Sequence, residues 1–147
     1  MSHGLKNILG FQFHEYEERG EFHRYPCYDI LVDGRNILGN FPGYAQYVTP
    51  FGLGFKSLQD DIGPIDEFCG TRTPESVYGA PFLICGECHD PGCGGVWGQI
   101  ETTEAEIIWS RFTEGDGGLR FCFEKNQYLE AFAELEKEIR RRHLSNQ

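Results

Sequence analysis

KNQYLEAFAELEKEIRRRH, residues 125–143, is the most strongly patterned stretch of the chain. Tyr128, Phe132, Leu135 and Ile139 recur at spacings of four, three and four, with Leu129 alongside, which puts the apolar side chains on one face of a helix. Glu124 and Glu130 fall early and Arg140, Arg141 and Arg142 fall late, the order that suits the helix dipole. A helix with one apolar face needs a layer to lie against, so the question becomes what precedes it.

Immediately before it, Leu119 to Phe123 alternates apolar and polar residues, as a half-buried strand does. Gly95–Thr102 (Val96, Trp97, Ile100) and Ala105–Phe112 (Ile107, Trp109) have strand composition and are joined by a turn at Thr102–Glu104. With the short apolar run Pro81–Ile84 they read as an antiparallel meander. Further back, Leu5–Glu17 reads as a strand ending in a polar turn at Glu18–Gly20. Tyr28–Val32 reads as a strand closed by a tight turn at Asp33–Gly34. Asn36–Phe41 reads as a short helical turn. Pro42–Pro74, punctuated by five glycines, reads as loop with short pieces around Thr49–Phe55 and Ser57–Gln59. The expected fold is α+β: an antiparallel sheet of five or six strands with the C-terminal amphipathic helix packed on one face. In that arrangement the helix meets Val96, Ile107, Trp109 and Phe121. Residues 1–147 suit a single domain, and 12 Phe, 7 Tyr and 2 Trp supply the bulk for its core.

The charge is unevenly placed. Residues 57–118 hold twelve Asp or Glu against Arg72 and Arg111, which accounts for the whole net charge of −10. Such a field repels nucleic acid and anionic lipid and attracts basic proteins; the alternative is that it serves solubility alone. The three late arginines are too few to reverse that and read as compensation of the helix end. No apolar run is long enough to span a bilayer, and the first thirteen residues lack the features of a signal peptide. The expected location is the cytoplasm, with neither nucleic acid nor membrane as partner.

Cys85-Gly86-Glu87-Cys88-His89-Asp90-Pro91-Gly92-Cys93 is the densest chemical signal. Cys85 and Cys88 have the spacing at which two thiolates bind one tetrahedral ion from a tight turn, and Cys93 offers a third. His89, Cys122, Cys69 or Cys27 could complete a zinc site. The same cysteines could instead pack as small hydrophobes in a turn. A redox pair is disfavoured because Glu87 and Asp90 would raise the thiol pKa.

Four segments together carry a resemblance: residues 28–34 (YDILVDG), 82–95 (FLICGECHDPGCGG), 107–112 (IIWSRF) and 121–128 (FCFEKNQY). In this order the chain resembles a group of small uncharacterised bacterial proteins with a D-I-L-V/I-D-G strand, a C-x-E-C-G-D-x-G-C-G loop, an aromatic strand and a similar helix start. It departs from them at His89, where the group shows Gly. That substitution makes His89 a candidate ligand and alters the loop. In general type these proteins look similar to the immunity proteins that accompany bacterial toxins. The likeness, together with the charge held in residues 57–118, suggests an acidic surface that covers the active site of a basic toxin domain; the irregular acidic loops offer Asp60, Asp61, Asp66, Glu67 and Glu75 as contacts. Two alternatives stand beside it. One is a zinc-stabilised interaction domain with another partner. The other is a small cysteine-dependent enzyme drawing on Cys85, Cys88, His89 and Asp90, with His14, Glu15 and His23 elsewhere. No nucleophile elbow, phosphate loop or zinc-protease motif accompanies those residues.

Overall fold

The computed structural model describes residues 6–54, 57–87 and 94–145. The chain enters as β1 (Leu9–His14), makes a short hairpin of β2 (Glu17–Arg19) and β3 (Phe22–Arg24), and returns as β4 (Cys27–Val32). β4 runs antiparallel to β1 from Leu9–Val32 to His14–Cys27. Asp33 at φ 55° and Gly34 at φ 79° then form the two-residue turn that leads into β5 (Arg35–Asn36), as a tight hairpin requires. A 3-10 turn over Ile37–Asn40 follows, capped by the Asn36 side chain.

The stretch read as loop contains helix α1 (Leu58–Phe68), which corrects the expectation for residues 42–74. Ser57 caps it by accepting from the Asp60 N–H at 3.1 Å. Asp60 and Asp61 occupy its first turn, where carboxylates are favoured. Ile62, Ile65 and Phe68 share a buried face. Gly63 and Pro64 lie inside the helix, and their presence argues against helix in the sequence. Burial of the Ile62–Ile65–Phe68 face outweighs that local penalty.

β6 (Ala80–Ile84), β7 (Gly95–Thr102), β8 (Glu106–Ser110) and β9 (Phe121–Glu124) form the expected meander, antiparallel throughout. Helix α2 (Lys125–Ser145) follows β9 directly, with the Glu124 carboxylate accepting from the Gln127 N–H at 2.6 Å.

The single sheet of five or six strands is not what forms. The strands divide into a three-stranded sheet β1-β4-β5, the β2-β3 hairpin and the four-stranded meander β6-β7-β8-β9. The two larger sheets are stitched together at both ends. Asn7 bridges to Phe123, with its N–H on the Cys122 carbonyl at 2.8 Å and its side-chain oxygen on the Cys122 N–H at 2.9 Å. On the other side Val48 bridges to Ile84, and the Tyr28 N–H of β4 reaches the Phe51 carbonyl at 3.1 Å. The hydrogen-bonded path thus runs from β4 through residues 48–51, the meander and Asn7 back to β1.

The apolar face of α2 is buried as its periodicity predicts, at Tyr128, Phe132, Leu135 and Ile139, but its partners differ in part. Tyr128 meets Trp109 and Phe123, accepting from the indole N–H at 3.0 Å and donating to the Phe68 carbonyl at 2.7 Å. Phe132 meets Phe11, Phe51 and Phe68 instead of the meander. The reason is α1, whose Phe68 lies between the helix and the sheet, touching Phe82 and Trp109 as well. Among the described residues no helix is long and apolar enough to cross a membrane.

Candidate functional site

The acidic residues of α1 and the segment after it do not behave alike. Asp60 and Asp66 are exposed. Glu67 is half-buried and holds Arg72 at 2.8 Å. Glu75 is exposed. Asp61 is fully buried. Its oxygens accept from the Leu53 N–H at 3.1 Å and the Gly54 N–H at 3.0 Å, and lie 2.7 Å from His143 Nε2. Asp61 therefore pins the 52–54 turn and the end of α2, and is turned away from any contact surface. Its place one turn into α1 sets this: the same helix face carries Ile62 and Ile65 inward.

The segment from Gly70 to Gly79 runs along the outside of β7. Gly70 lies against Thr102, Val77 accepts from the Gln99 side chain at 3.0 Å, and Gly79 lies on Gly98. A Cβ at Gly79 would sit 2.1 Å from the Gly98 carbonyl oxygen, so the close approach needs glycine. Next to Glu75, the turn Ser76–Gly79 is closed by the Gly79 N–H on the Ser76 carbonyl at 3.1 Å, and the Ser76 hydroxyl accepts from the Tyr78 N–H at 3.0 Å. At its tip Val77 is 87% exposed and Tyr78 61%. Composition alone gives no signal for this tip; it becomes visible only when the turn is seen to be fixed from both sides.

Much of the acidic charge in residues 57–118 is uncompensated among the described residues. Of the acidic residues in 57–118, Asp60, Asp66, Glu75, Glu87, Glu101, Glu104, Glu114 and Asp116 are exposed and join no ion pair among the described residues. On the outer face of α2 the opposite holds: Glu134, Glu136 and Glu138 are matched by Lys137, Arg140 and Arg141.

Of the proposed zinc ligands only Cys85 is described, half-buried after β6; Cys88, His89 and Cys93 lie outside the described residues. The register limits which other cysteine could join them. Cys85 follows Ile84, which pairs with Gly95 at one end of β7. Cys122 aligns through Ile108 with Glu101 near the other end. Six residues of strand separate the two levels, about 20 Å, whereas zinc bonds to sulfur are about 2.3 Å long. Cys69, beside Gly70 and Thr102, is at the far end too. Cys27 shares a small apolar cluster with Ile84, Val48 and Leu53. Among the described residues no three His, Cys, Asp or Glu side chains cluster as a metal site.

Burial pushes the Cys27 thiol up to about 12, with Asp29 adding to it, and burial and Asp66 do the same for Cys69. Tyr128 is pushed well above its ordinary value by burial. Each of these groups keeps its proton in the folded chain to a higher pH than in the unfolded chain. Their contribution is therefore complete below about pH 9 and is lost as pH rises through the folded values. Urea unfolding followed between pH 8 and 10.5 is expected to show a midpoint that is level to about pH 9 and falls above it; a profile flat to pH 10.5 would contradict the burial of these groups.

The histidines and the glutamate considered for catalysis are dispersed. Glu15 is exposed. His23 Nδ1 lies 2.9 Å from the Tyr16 hydroxyl. His14 Nε2 is buried without a hydrogen bond, 3.9 Å from Glu17, and burial with the nearby Arg24 charge lowers its pKa. Next to it is an ionic cluster that the sequence reading missed. Arg24 and Asp29 are 3% and 5% exposed and form a two-point pair, with one contact at 3.0 Å. Asn36 donates to the same carboxylate at 2.9 Å, and Arg24 Nε donates to the Tyr47 carbonyl at 2.9 Å. Burial works against the guanidinium charge, but the Asp29 hydrogen bonds offset it and leave the Arg24 pKa raised. A charged residue inside the D-I-L-V strand is the one trace of this cluster in the sequence.

No protein-family model, no curated protein and no solved structure matches the chain.

Proposed function

We propose that this chain is an immunity-type protein, which binds and neutralises a basic toxin domain through the acidic surface beside β7. The observation that carries this reading is the set of eight exposed carboxylates in 57–118 left without ion-pair partners among the described residues, on a protein whose long helix pairs Glu134, Glu136 and Glu138 with its own basic side chains. Uncompensated surface charge attracts a partner of opposite sign and speeds its association, beyond what it does for solubility. Asp60, Asp66 and Glu75 supply the acidic rim, with Glu67 beside them already engaged by Arg72. Val77 and Tyr78 form the apolar anchor that charge alone does not supply, since tyrosine held in a fixed conformation is a frequent centre of binding energy.

The test is capture from a lysate of the source organism by the immobilised full-length chain. A basic toxin domain is expected to bind at low salt, to be released as ionic strength rises, and to lose its toxicity in the complex. An Asp66→Lys, Glu75→Lys double variant is expected to associate about tenfold or more slowly. Tyr78→Ala is expected to weaken binding by about 2 kcal/mol, mostly through faster dissociation. Capture of an acidic protein, or capture indifferent to both variants, would refute the proposal.

A further inference from the structure

At the C-terminal end of α2 a cleft of about 370 Å³ opens between the helix, the β1-β4 pair and the 52–54 turn. Its walls are mainly apolar, from Phe13, Tyr28, Leu53 and Ile139, and Arg142 and His143 stand at one side. The walls are fixed by close packing. Gly52 has φ +67°, and a Cβ there would lie 2.6 Å from the Tyr28 ring, so glycine is what lets that ring lie against the turn.

Arg142 is held in an unusual way. Arg140 and Arg141 run along the helix to Glu136 and Glu138. Arg142 instead leaves the helix, and its guanidinium carbon lies 3.4 Å from the centre of the Phe13 ring. Its Nε donates to the Tyr28 hydroxyl at 2.6 Å. Its side chain makes no other hydrogen bond, and no ion pair, among the described residues. The carboxylates on the neighbouring elements are already taken: Glu138 by Arg141, and the buried Asp61 by two backbone N–H groups and His143 Nε2. Compensation of the helix end would be served by an arginine anywhere in the last turn. It does not account for a guanidinium laid over a ring at one side of an apolar cleft with its terminal donors unused among the described residues.

We propose that this cleft binds a small carboxylic acid with an apolar tail. A guanidinium with no direct ion pair among the described residues suits one negative charge, and its two terminal amino groups match the two oxygens of a carboxylate in a planar fork. The tail lies along Phe13, Leu53 and Ile139. The cleft is within the size range of small-molecule sites, about 300–1,000 Å³.

Octanoate is the probe, with octanol as the neutral control, each titrated into the full chain by calorimetry and by amide chemical shifts. Octanoate is expected to saturate one site, to shift the amides of Gly52, Leu53 and Gly54, and to bind about ten- to hundredfold more tightly than octanol, the worth of a hydrogen-bonded charge. In Arg142→Gln, that preference is expected to vanish while octanol affinity stays as it was. Failure of octanoate to bind, equal affinity for acid and alcohol, shifts confined to another surface, or unchanged octanoate affinity in a folded Arg142→Gln would each overturn the proposal. The comparison of acid with alcohol on the unaltered chain decides it even if the variant does not fold.

Discussion

Phe132→Ala is expected to lower the free energy of unfolding by about 3–5 kcal/mol, measured by urea denaturation at neutral pH. Phe132 is 1% exposed. Its ring lies 4.9 Å from that of Phe11, 5.6 Å from Phe51, 5.7 Å from Phe68 and 5.1 Å from Tyr128. It therefore joins α2 to β1, to the strand-like 48–51 segment and to α1 at once. Its neighbours are rings fixed by further rings, Phe51 on Phe68 and Phe68 on Phe82 and Trp109. Such rings cannot collapse into the space a lost phenyl leaves, which places the cost toward the upper part of the range. For a chain of this size the loss is a large share of total stability, about 5–15 kcal/mol. A change below about 1 kcal/mol would mean that the helix does not pack on this cluster.

Asp29→Ala is expected to cost a comparable amount, about 3–5 kcal/mol, for a different reason. The substitution leaves Arg24 buried with its charge unanswered, and orphans the Asn36 amide as well. The distinguishing experiment is the double variant Arg24→Met, Asp29→Leu. Removing both charges together is expected to recover most of the loss, because desolvating the pair costs nearly as much as the pair returns. If the double variant were as unstable as Asp29→Ala, the cost would come from shape and not from an unpaired charge.

The legibility of the chain follows from how local each signal is. The meander could be read because its four strands follow one another in sequence, and α2 because its apolar spacing is regular from Tyr128 to Ile139, about three turns. The Asp33–Gly34 turn was legible for the same reason. Helix α1 was obscured by Gly63 and Pro64, although Ser57 three residues before Asp60 is a start signal and Ile62, Ile65 and Phe68 repeat at helical spacing. The division into separate sheets was not legible, since Asn7–Phe123 and Val48–Ile84 join residues far apart in sequence. The acidic segment is visible as composition, but Asp61 turns inward because it lies on the buried face of α1, a helix that Gly63 and Pro64 disguise. The Val77–Tyr78 tip depends on residues 70–79 meeting β7, and the Arg142 cleft on α2, β1, β4 and the 52–54 turn meeting, which no single stretch of sequence encodes.

The closure of the two sheets through Asn7 also orders events in time. Asn7 is satisfied by Cys122, and both backbone groups of Leu9 are held by the Gln127 side chain, at 3.0 and 2.8 Å. During synthesis these partners do not exist until well over a hundred further residues have been added, which takes about 6–24 s at ribosomal rates of about 5–20 residues per second. For that interval the nascent chain can pair β1 with β4 but must leave the other edge of β1 open to neighbouring chains on the same message. The protein's exposure to misassembly is thus set by translation speed as much as by its final stability.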